Sequence, residues 1–390
     1  MTSITSMEPL LPPVGTRELD DLVAELIAKA NAFAARLHPV LRASVGDLVR
    51  SMNCYYSNLI EGHNTTPVDI NRAMAGDYSN EPEKRNLQEE ARAHIEVQAM
   101  IDAGKMPFPV LSVEGILWIH AEFCKRMPED LLWATNPDTN ERIALVPGDL
   151  RQQMVRVGRH VPPEPEMLLP LLNRFVEAYG SRGLSTVQRI IGIAASHHRL
   201  AWIHPFLDGN GRVTRLFSHA RLREEGVGSE LWSVSRGLAR SVEEYKSRLE
   251  AADEPRRGDL DGRGNLTEAG LIAFCRYFLR SCVDQVTFME SLMEPRELIN
   301  RITIWAEEEI RAQRLPKGSL ALLREAIING EFARGMAADL THYQPRQAST
   351  VLNALIDRGL LVSPTPKGKV RLGFPPEITE RWLPLLYPVA

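Results

Sequence analysis

The reading of this chain turns on one stretch, His204-Pro205-Phe206-Leu207-Asp208-Gly209-Asn210-Gly211-Arg212-Val213-Thr214-Arg215. It sets an imidazole, a carboxylate, two glycines and two guanidinium groups side by side. Asp208–Gly211 is turn-forming, and Arg212 onwards, with Val213, Leu216 and Phe217, has helical spacing. A turn that enters a helix leaves the first amide N–H groups unpaired and aimed at one spot, which suits a phosphate. Glycines let the backbone come close to such a ligand. Arg212 and Arg215 are three residues apart and share a helical face, and their planar forks match phosphate oxygens. Asp208 offers a hard oxygen ligand for Mg²⁺ bridging phosphates. His204 is the natural proton acceptor near neutral pH. Each component alone is ordinary: Asp-Gly-Asn-Gly makes many turns, and Arg-x-x-Arg faces are usually solvated. Together they point to attack of a hydroxyl on phosphorus, with the charge stabilised by Mg²⁺, backbone N–H groups and arginines.

The rest of the composition sets limits. The chain has 390 residues, 44% hydrophobic and 25% charged, with a net charge of -4. That is ordinary for a globular protein of two or three domains and argues against a nucleic-acid-coating or membrane-surface protein as a whole. Cys54, Cys124, Cys275 and Cys282 form no CxxC pair and read as reduced, buried thiols. No signal peptide and no membrane span are visible, so a cytoplasmic protein is expected. The chain has no Gly-x4-Gly-Lys-Ser/Thr string, which excludes a P-loop. A zinc hydrolase built from His197, His204 and Asp208 is disfavoured, because there is no HExxH and the helix register does not converge all three. His197 and His198 are expected to pack or to support the site.

Working outward, a Pro-rich arm over residues 1–16 precedes helices at Asp20–Arg36 and Ser44–Ile60, the latter stopped by Gly62. Further helices are expected at 67–75, 87–103, 113–126, 165–179, 186–202, 216–223, 242–252 and 267–293. Between them, residues 148–163 are rich in Gly and Pro and include the β-like run Met154–Val157, which predicts a short hairpin. Residues 254–265 read as a loop. Glu294–Arg314 reads as a connecting helix. The remainder, 316–390, runs helix, helix–turn–helix, then two β-like segments around Ser363–Gly368, the order of a winged helix. The expected fold class is mainly α, with a helical N-terminal region over 1–110, a core over 111–293, a linker helix over 294–315 and a winged helix over 316–390.

The stretch from His204 to Arg215 resembles the signature of the Fic family, His-x-Phe-x-(Asp/Glu)-Gly-Asn-Gly-Arg-x-x-Arg, and matches every specified position. The resemblance extends over about residues 40–290 and implies an all-helical Fic core. Most Fic proteins transfer AMP from ATP to a Ser, Thr or Tyr hydroxyl of a protein. The resemblance therefore implies His204 as base and Asp208 as Mg²⁺ ligand. It also implies Gly209, Asn210 and Gly211 as an anion hole, with the Asn210 side chain at the α-phosphate, and Arg212 and Arg215 on the β- and γ-phosphates. Phe206 is expected to anchor the loop in the core. The hairpin at 148–163 resembles the Fic flap, where an exposed strand could pair with a target segment; Arg151, Arg156 and His160 are given no catalytic role. Tyr245, Leu249 and Asp253, spaced i, i+4, i+8, match the helix that lines the nucleoside pocket in related proteins. This chain departs from them in having Tyr245-Lys246 rather than two tyrosines, and Asp253 where an amide is common.

Ser57, Glu61 and Gly62 lie at the end of a predicted helix, with Ser57 and Glu61 one turn apart. Ser57-Asn58-Leu59-Ile60-Glu61-Gly62 resembles the inhibitory motif of class II Fic proteins, (Ser/Thr)-x-x-x-Glu-(Gly/Asn). It implies an inhibitory helix at about 44–62 whose Glu61 pairs with Arg215 and keeps ATP in a non-productive pose. The expectation is an autoinhibited protein adenylyltransferase using ATP and Mg²⁺. Two alternatives stay open at the level of sequence: removal of AMP by the same site, and a winged-helix DNA-binding regulator with a nucleotide-sensing core. Homodimer formation also stays open. The tail carries Arg346, Arg358, Lys367, Lys369 and Arg371 but also Asp339 and Asp357, which slightly favours docking of a protein over DNA.

Overall fold

A computed structural model describes residues 2–135 and 141–387. In chain order the helices before the first strands are α1 (Arg17–Arg36), α2 (Pro39–Ile60), α3 (Pro67–Met74), α4 (Pro82–Asp102) and α5 (Val113–Cys124). Strands β1 (Trp133–Thr135) and β2 (Arg142–Ala144) follow. Next come α6 (Pro165–Tyr179), α7 (Thr186–Ile203), α8 (Asn210–Glu224), α9 (Val234–Ala239), α10 (Val242–Asp253) and α11 (Glu268–Leu292). The chain closes with α12 (Pro295–Arg311), α13 (Ser319–Ile328), β3 (Glu331–Phe332), α14 (Ala337–Thr341), α15 (Pro345–Asp357), β4 (Leu361–Val362), β5 (Val370–Leu372) and α16 (Pro376–Trp382).

The chain divides into two compact units, one of residues 1–30 and 53–285, the other of 31–52 and 286–390. This division differs from one drawn by sequence position. Its boundaries fall inside α1, α2 and α11, and α12 belongs to the second unit rather than standing alone as a linker. Hydrophobic spacing continues unbroken through these helices, so the sequence offers no composition shift to mark the change.

In the first unit the local signals are strong. Ser185 and Gln188 form a capping box at the start of α7, which satisfies two of the amides that a helix start leaves open. Thr66 and Ser112 cap α3 and α5 in the same sense. Proline opens α3, α4 and α6, where its missing N–H costs nothing. Helix α7 packs on α6 and α8, and α8 on α5 and α4. Phe175 and Phe217 meet at their core with ring centroids 5.8 Å apart. Cys54, Ile70, Ala91 and Ile95 form a smaller apolar cluster that seats the C-terminal half of α2 on α3 and α4.

The expected hairpin at 148–163 is not two strands. It contains one isolated antiparallel bridge, Val157 to His160. The paired strands lie earlier, β1 against β2, with Trp133 opposite Ala144; residues 136–140 lie outside the described residues. The alternation at Met154–Val157 is not enough to make a strand, because Arg151 pulls the backbone on either side of it toward itself, as described below.

In the second unit the sheet order is β3-β5-β4, all antiparallel. Phe332, Leu361, Val370 and Leu372 point inward and are buried. Trp305 and Trp382 pack edge to face at 5.2 Å, and α12 packs against α13 and α16. Phe175 is fully buried, so Phe175→Ala should destabilise the first unit by about 3–5 kcal/mol, read as a lower thermal midpoint with the same circular dichroism at low temperature.

Candidate active site

The site is a corner between two helices. Helix α7 ends at His204, whose backbone is left-handed with φ 49°, an uncommon conformation for a residue with a side chain. Helix α8 begins after Gly209 at φ 78°, where glycine is comfortable. Asn210 closes the corner: its Oδ1 accepts from the Phe206 amide at 2.9 Å and its Nδ2 donates to the Phe206 carbonyl at 2.8 Å. The Asn210 side chain, expected at a phosphate, here braces the loop. Its Oδ1 and one Nδ2 hydrogen are taken by the loop backbone, which leaves the second Nδ2 hydrogen and the first-turn amides of α8 for an anion.

Two residues that sequence reasoning missed or discounted hold this corner in place. Arg151 is buried and donates to the carbonyls of His204 at 2.8 Å, Gln153 at 2.8 Å and Pro163 at 2.6 Å. His120 on α5 stacks on Phe206 with centroids 3.9 Å apart and planes 7° from parallel, and its Nδ1 accepts from the Gly148 amide. Phe206 itself is fully buried. Neither partner has a local sequence signal, since each works across a long stretch of chain.

Burial pushes the His204 imidazole down to about 4, with the nearby Arg151 and His160 adding to the effect. His204 is therefore neutral through the physiological range and free to take a proton. Asp208 is exposed; its Oδ1 accepts from the Gly209 amide at 2.6 Å, and its Oδ2 lies 3.9 Å from Arg212. One carboxylate facing solvent beside an anion cradle fits Mg²⁺ held jointly with phosphate oxygens. Among the described residues no cluster of three or more His, Cys, Asp or Glu could cage a metal alone.

The two loop arginines are buried and already engaged. Arg215 donates from Nε to the Ser57 hydroxyl at 2.9 Å, and from Nη2 to Glu61 Oε1 at 2.5 Å and the Ser57 carbonyl at 3.3 Å. Gly62, at φ 84°, ends α2 and lets the chain turn just after Glu61. A Cβ added at Gly211 would collide with Glu61 Oε1, so the carboxylate occupies the space above the first turn of α8. Burial opposes ionisation of Glu61, but Arg215 beside it outweighs that penalty and holds its carboxyl below the usual range. Arg212 lies 2.5 Å from Glu90 Oε1 and 5.2 Å from the centre of the Phe123 ring.

The structure brings Ser57, Glu61, Gly211 and Arg215 together and seats His204 and Asp208 on the same loop. Tyr245, Leu249 and Asp253, expected to line a nucleoside pocket, are placed on α10 facing the two histidines of α7. The Tyr245 hydroxyl is buried against His197 Nε2 at 2.7 Å. The Leu249 carbonyl and the Asp253 carboxylate both meet His198, at 3.0 and 3.1 Å. These residues tie α10 to α7 through the two buried histidines.

Residues 110–222 match the model of the Fic/DOC family. "Protein adenylyltransferase Fic" of Drosophila erecta is 40% identical over 79 residues, 20% of this chain and 16% of that protein. The protein of the same description from Nematostella vectensis is 32% identical over 179 residues, 44% of this chain and 37% of that protein. The matches thus span well under half of the length of these relatives. Among solved structures, a Fic family protein from Desulfovibrio desulfuricans superposes with a TM-score of 0.54 at 17% identity, over 93% of this chain and 98% of that one. Fic-1 from C. elegans gives 0.52 at 17% identity, over 70% of this chain and 72% of that one.

Glu61→Gln should lower stability by about 1–2 kcal/mol near neutral pH, less than the roughly 3–5 kcal/mol of a fully buried pair, since the Glu61 side chain keeps 32% exposure. With the folded pKa depressed, the contribution is full above the unfolded value of about 4 and is lost as pH falls through the lower folded value. Urea midpoints of wild type and Glu61→Gln should therefore differ at neutral pH and converge in acid. Taken together, signature, geometry and likeness give one conclusion: the chain carries a Fic/DOC domain at residues 110–222 and has the fold of the Fic family.

Proposed function

We propose that this protein transfers AMP from ATP to a hydroxyl side chain of a protein, itself or another, and that Glu61 holds it in a low-activity state. The observation that carries the proposal is the neutral His204 imidazole at the mouth of an anion cradle whose inner arginine, Arg215, is held by the Glu61 carboxylate.

The chemistry follows from the positions. The triphosphate lies along the first turn of α8, where the amides of Gly209, Asn210 and Gly211 take the charge of the α-phosphate. The hydroxyl oxygen bonds to the α-phosphorus and its proton passes to His204. The bond to the oxygen bridging the α- and β-phosphorus breaks, and pyrophosphate leaves. Arg212 holds the leaving phosphates, and Arg215 takes the γ-phosphate when Glu61 withdraws. Asp208 would hold Mg²⁺, which neutralises phosphate charge and orients the chain of phosphates. While Glu61 remains, its carboxylate and a γ-phosphate compete for one guanidinium group and repel each other.

The finer setting rests on single observations. Four buried free thiols suit a reducing compartment such as the cytoplasm, and among the described residues no helix is long and apolar enough to cross a membrane. The second unit, with α13, β3, α14, α15, β4 and β5 in that order, is read as a winged helix. Of its flagged cations, Arg358 pairs with Glu309, Lys369 with Glu331 and Arg371 with Asp47. Cations neutralised in place release few counterions on binding a polyanion, which favours a protein partner over DNA.

Transfer of label from ATP to protein should rise about tenfold in Glu61→Gly, the effect of losing about 1.4 kcal/mol of inhibition. His204→Ala should lower the Glu61→Gly rate by about 10²–10⁴-fold. Intact-mass measurement of each variant after incubation with ATP and Mg²⁺ checks both; equal masses for Glu61→Gly and wild type would sink the proposal.

A further inference from the structure

The two loop arginines are held by carboxylates from different helices, and one of these also holds the inhibitory turn. Glu90 on α4 is 5% exposed. Its Oε1 lies 2.5 Å from Arg212 Nη1 and 3.1 Å from His63 Nδ1. His63 follows Glu61 by two residues, with Gly62 turning the chain between them, so Glu61 faces Arg215 on α8 while His63 faces α4. One buried oxygen thus joins the turn after α2 to the first arginine of the loop.

We propose that His63 and Glu90 form a second fastening of the inhibitory turn, positioning Glu61 over Arg215 and keeping Arg212 occupied. The proposal rests on the reading of Glu61 as an inhibitor and adds a partner to it. A buried carboxylate is tolerated only with partners, and Glu90 has two. If His63 swings away, Glu90 keeps Arg212 alone, and Glu61 loses the contact that fixes the turn. If Arg212 swings toward a phosphate, Glu90 keeps only His63. Opening the site for productive ATP therefore disturbs both carboxylates, and the two fastenings reinforce each other.

The groups facing His63 are Glu61 from its own turn, Glu90 from α4 and Arg212 from α8. The hydrogen bond to Glu90 is the largest influence and favours the imidazolium, with burial opposing it, and the result is raised above the ordinary histidine value. The sign follows. The charge-assisted contact is complete below the ordinary value and is lost as pH rises through the raised one. Neither Glu61, held low by Arg215, nor His204, held near 4 by burial, changes charge in that window. Loosening of the site toward alkaline pH therefore reports His63.

The test uses the full chain with a fluorescent ATP analogue and Mg²⁺, from about pH 6 to about pH 8.5, a window around the ordinary histidine value. Labelled-ATP transfer is read alongside and normalised to Glu61→Gly. Wild type should bind the analogue more tightly as pH rises, by about tenfold, the worth of one charge-assisted hydrogen bond. His63→Ala should bind tightly already at the lower pH and show a flat profile. His63→Gln, whose amide can donate to Glu90 but carries no charge, should match wild type at the upper pH and show a flat profile. If Glu61→Gly responds but His63→Ala tracks wild type at every pH, the second fastening is wrong while the inhibitory role of Glu61 stands. If Glu61→Gly neither binds nor transfers better than wild type, both readings fail.

Discussion

Everything chemical in this protein depends on the corner between α7 and α8, and the corner depends on Asn210. A six-residue connection between two packed helices must reverse direction, expose an imidazole and leave a row of amides open to an anion. Left alone, such a loop would sample many shapes. The Asn210 side chain removes that freedom by pairing with both polar groups of the Phe206 backbone. Phe206 then sinks into the core against His120, and Arg151 gathers the carbonyls on the far side. The left-handed backbone of His204 is the cost of this arrangement, and the buried contacts around it offset that cost.

Burial is also what tunes the site. The same low-polarity surroundings that keep His204 neutral make the ion pairs of Arg212 and Arg215 strong, because charges withdrawn from water need close partners. Two guanidinium groups buried in this way must have something to hold. Glu61 and Glu90 fill that need. On the proposed reading, inhibition and folding stability are then one property of the protein.

Legibility in the sequence followed the range of the interactions. The loop was readable because its groups are adjacent, and the Ser57–Glu61 spacing because it is one helical turn; the pairing of Glu61 with Arg215 came only through resemblance to a family. The helices themselves were largely visible from caps, prolines and periodicity. Arg151, His120 and Glu90 were not, since each acts on residues far away in the chain and carries no local pattern. The Met154–Val157 run read as a strand because alternation is a local signal, whereas the backbone there is organised by Arg151. The ties of Tyr245, Leu249 and Asp253 to the buried histidines of α7 were equally hidden, because they join distant stretches of chain.

Ser57 carries a further consequence. It accepts two hydrogen bonds from Arg215, at its hydroxyl and at its carbonyl, that do not involve Glu61. A guanidinium group held this way keeps its aim when the carboxylate departs. On the proposed reading, α2 is less a plug than a jig: it carries the obstruction at its tip, while one turn earlier it holds the arginine where a nucleotide would meet it. On that same reading, relief from inhibition asks the turn from Glu61 to His63 to yield while the earlier turns of α2 stay in place.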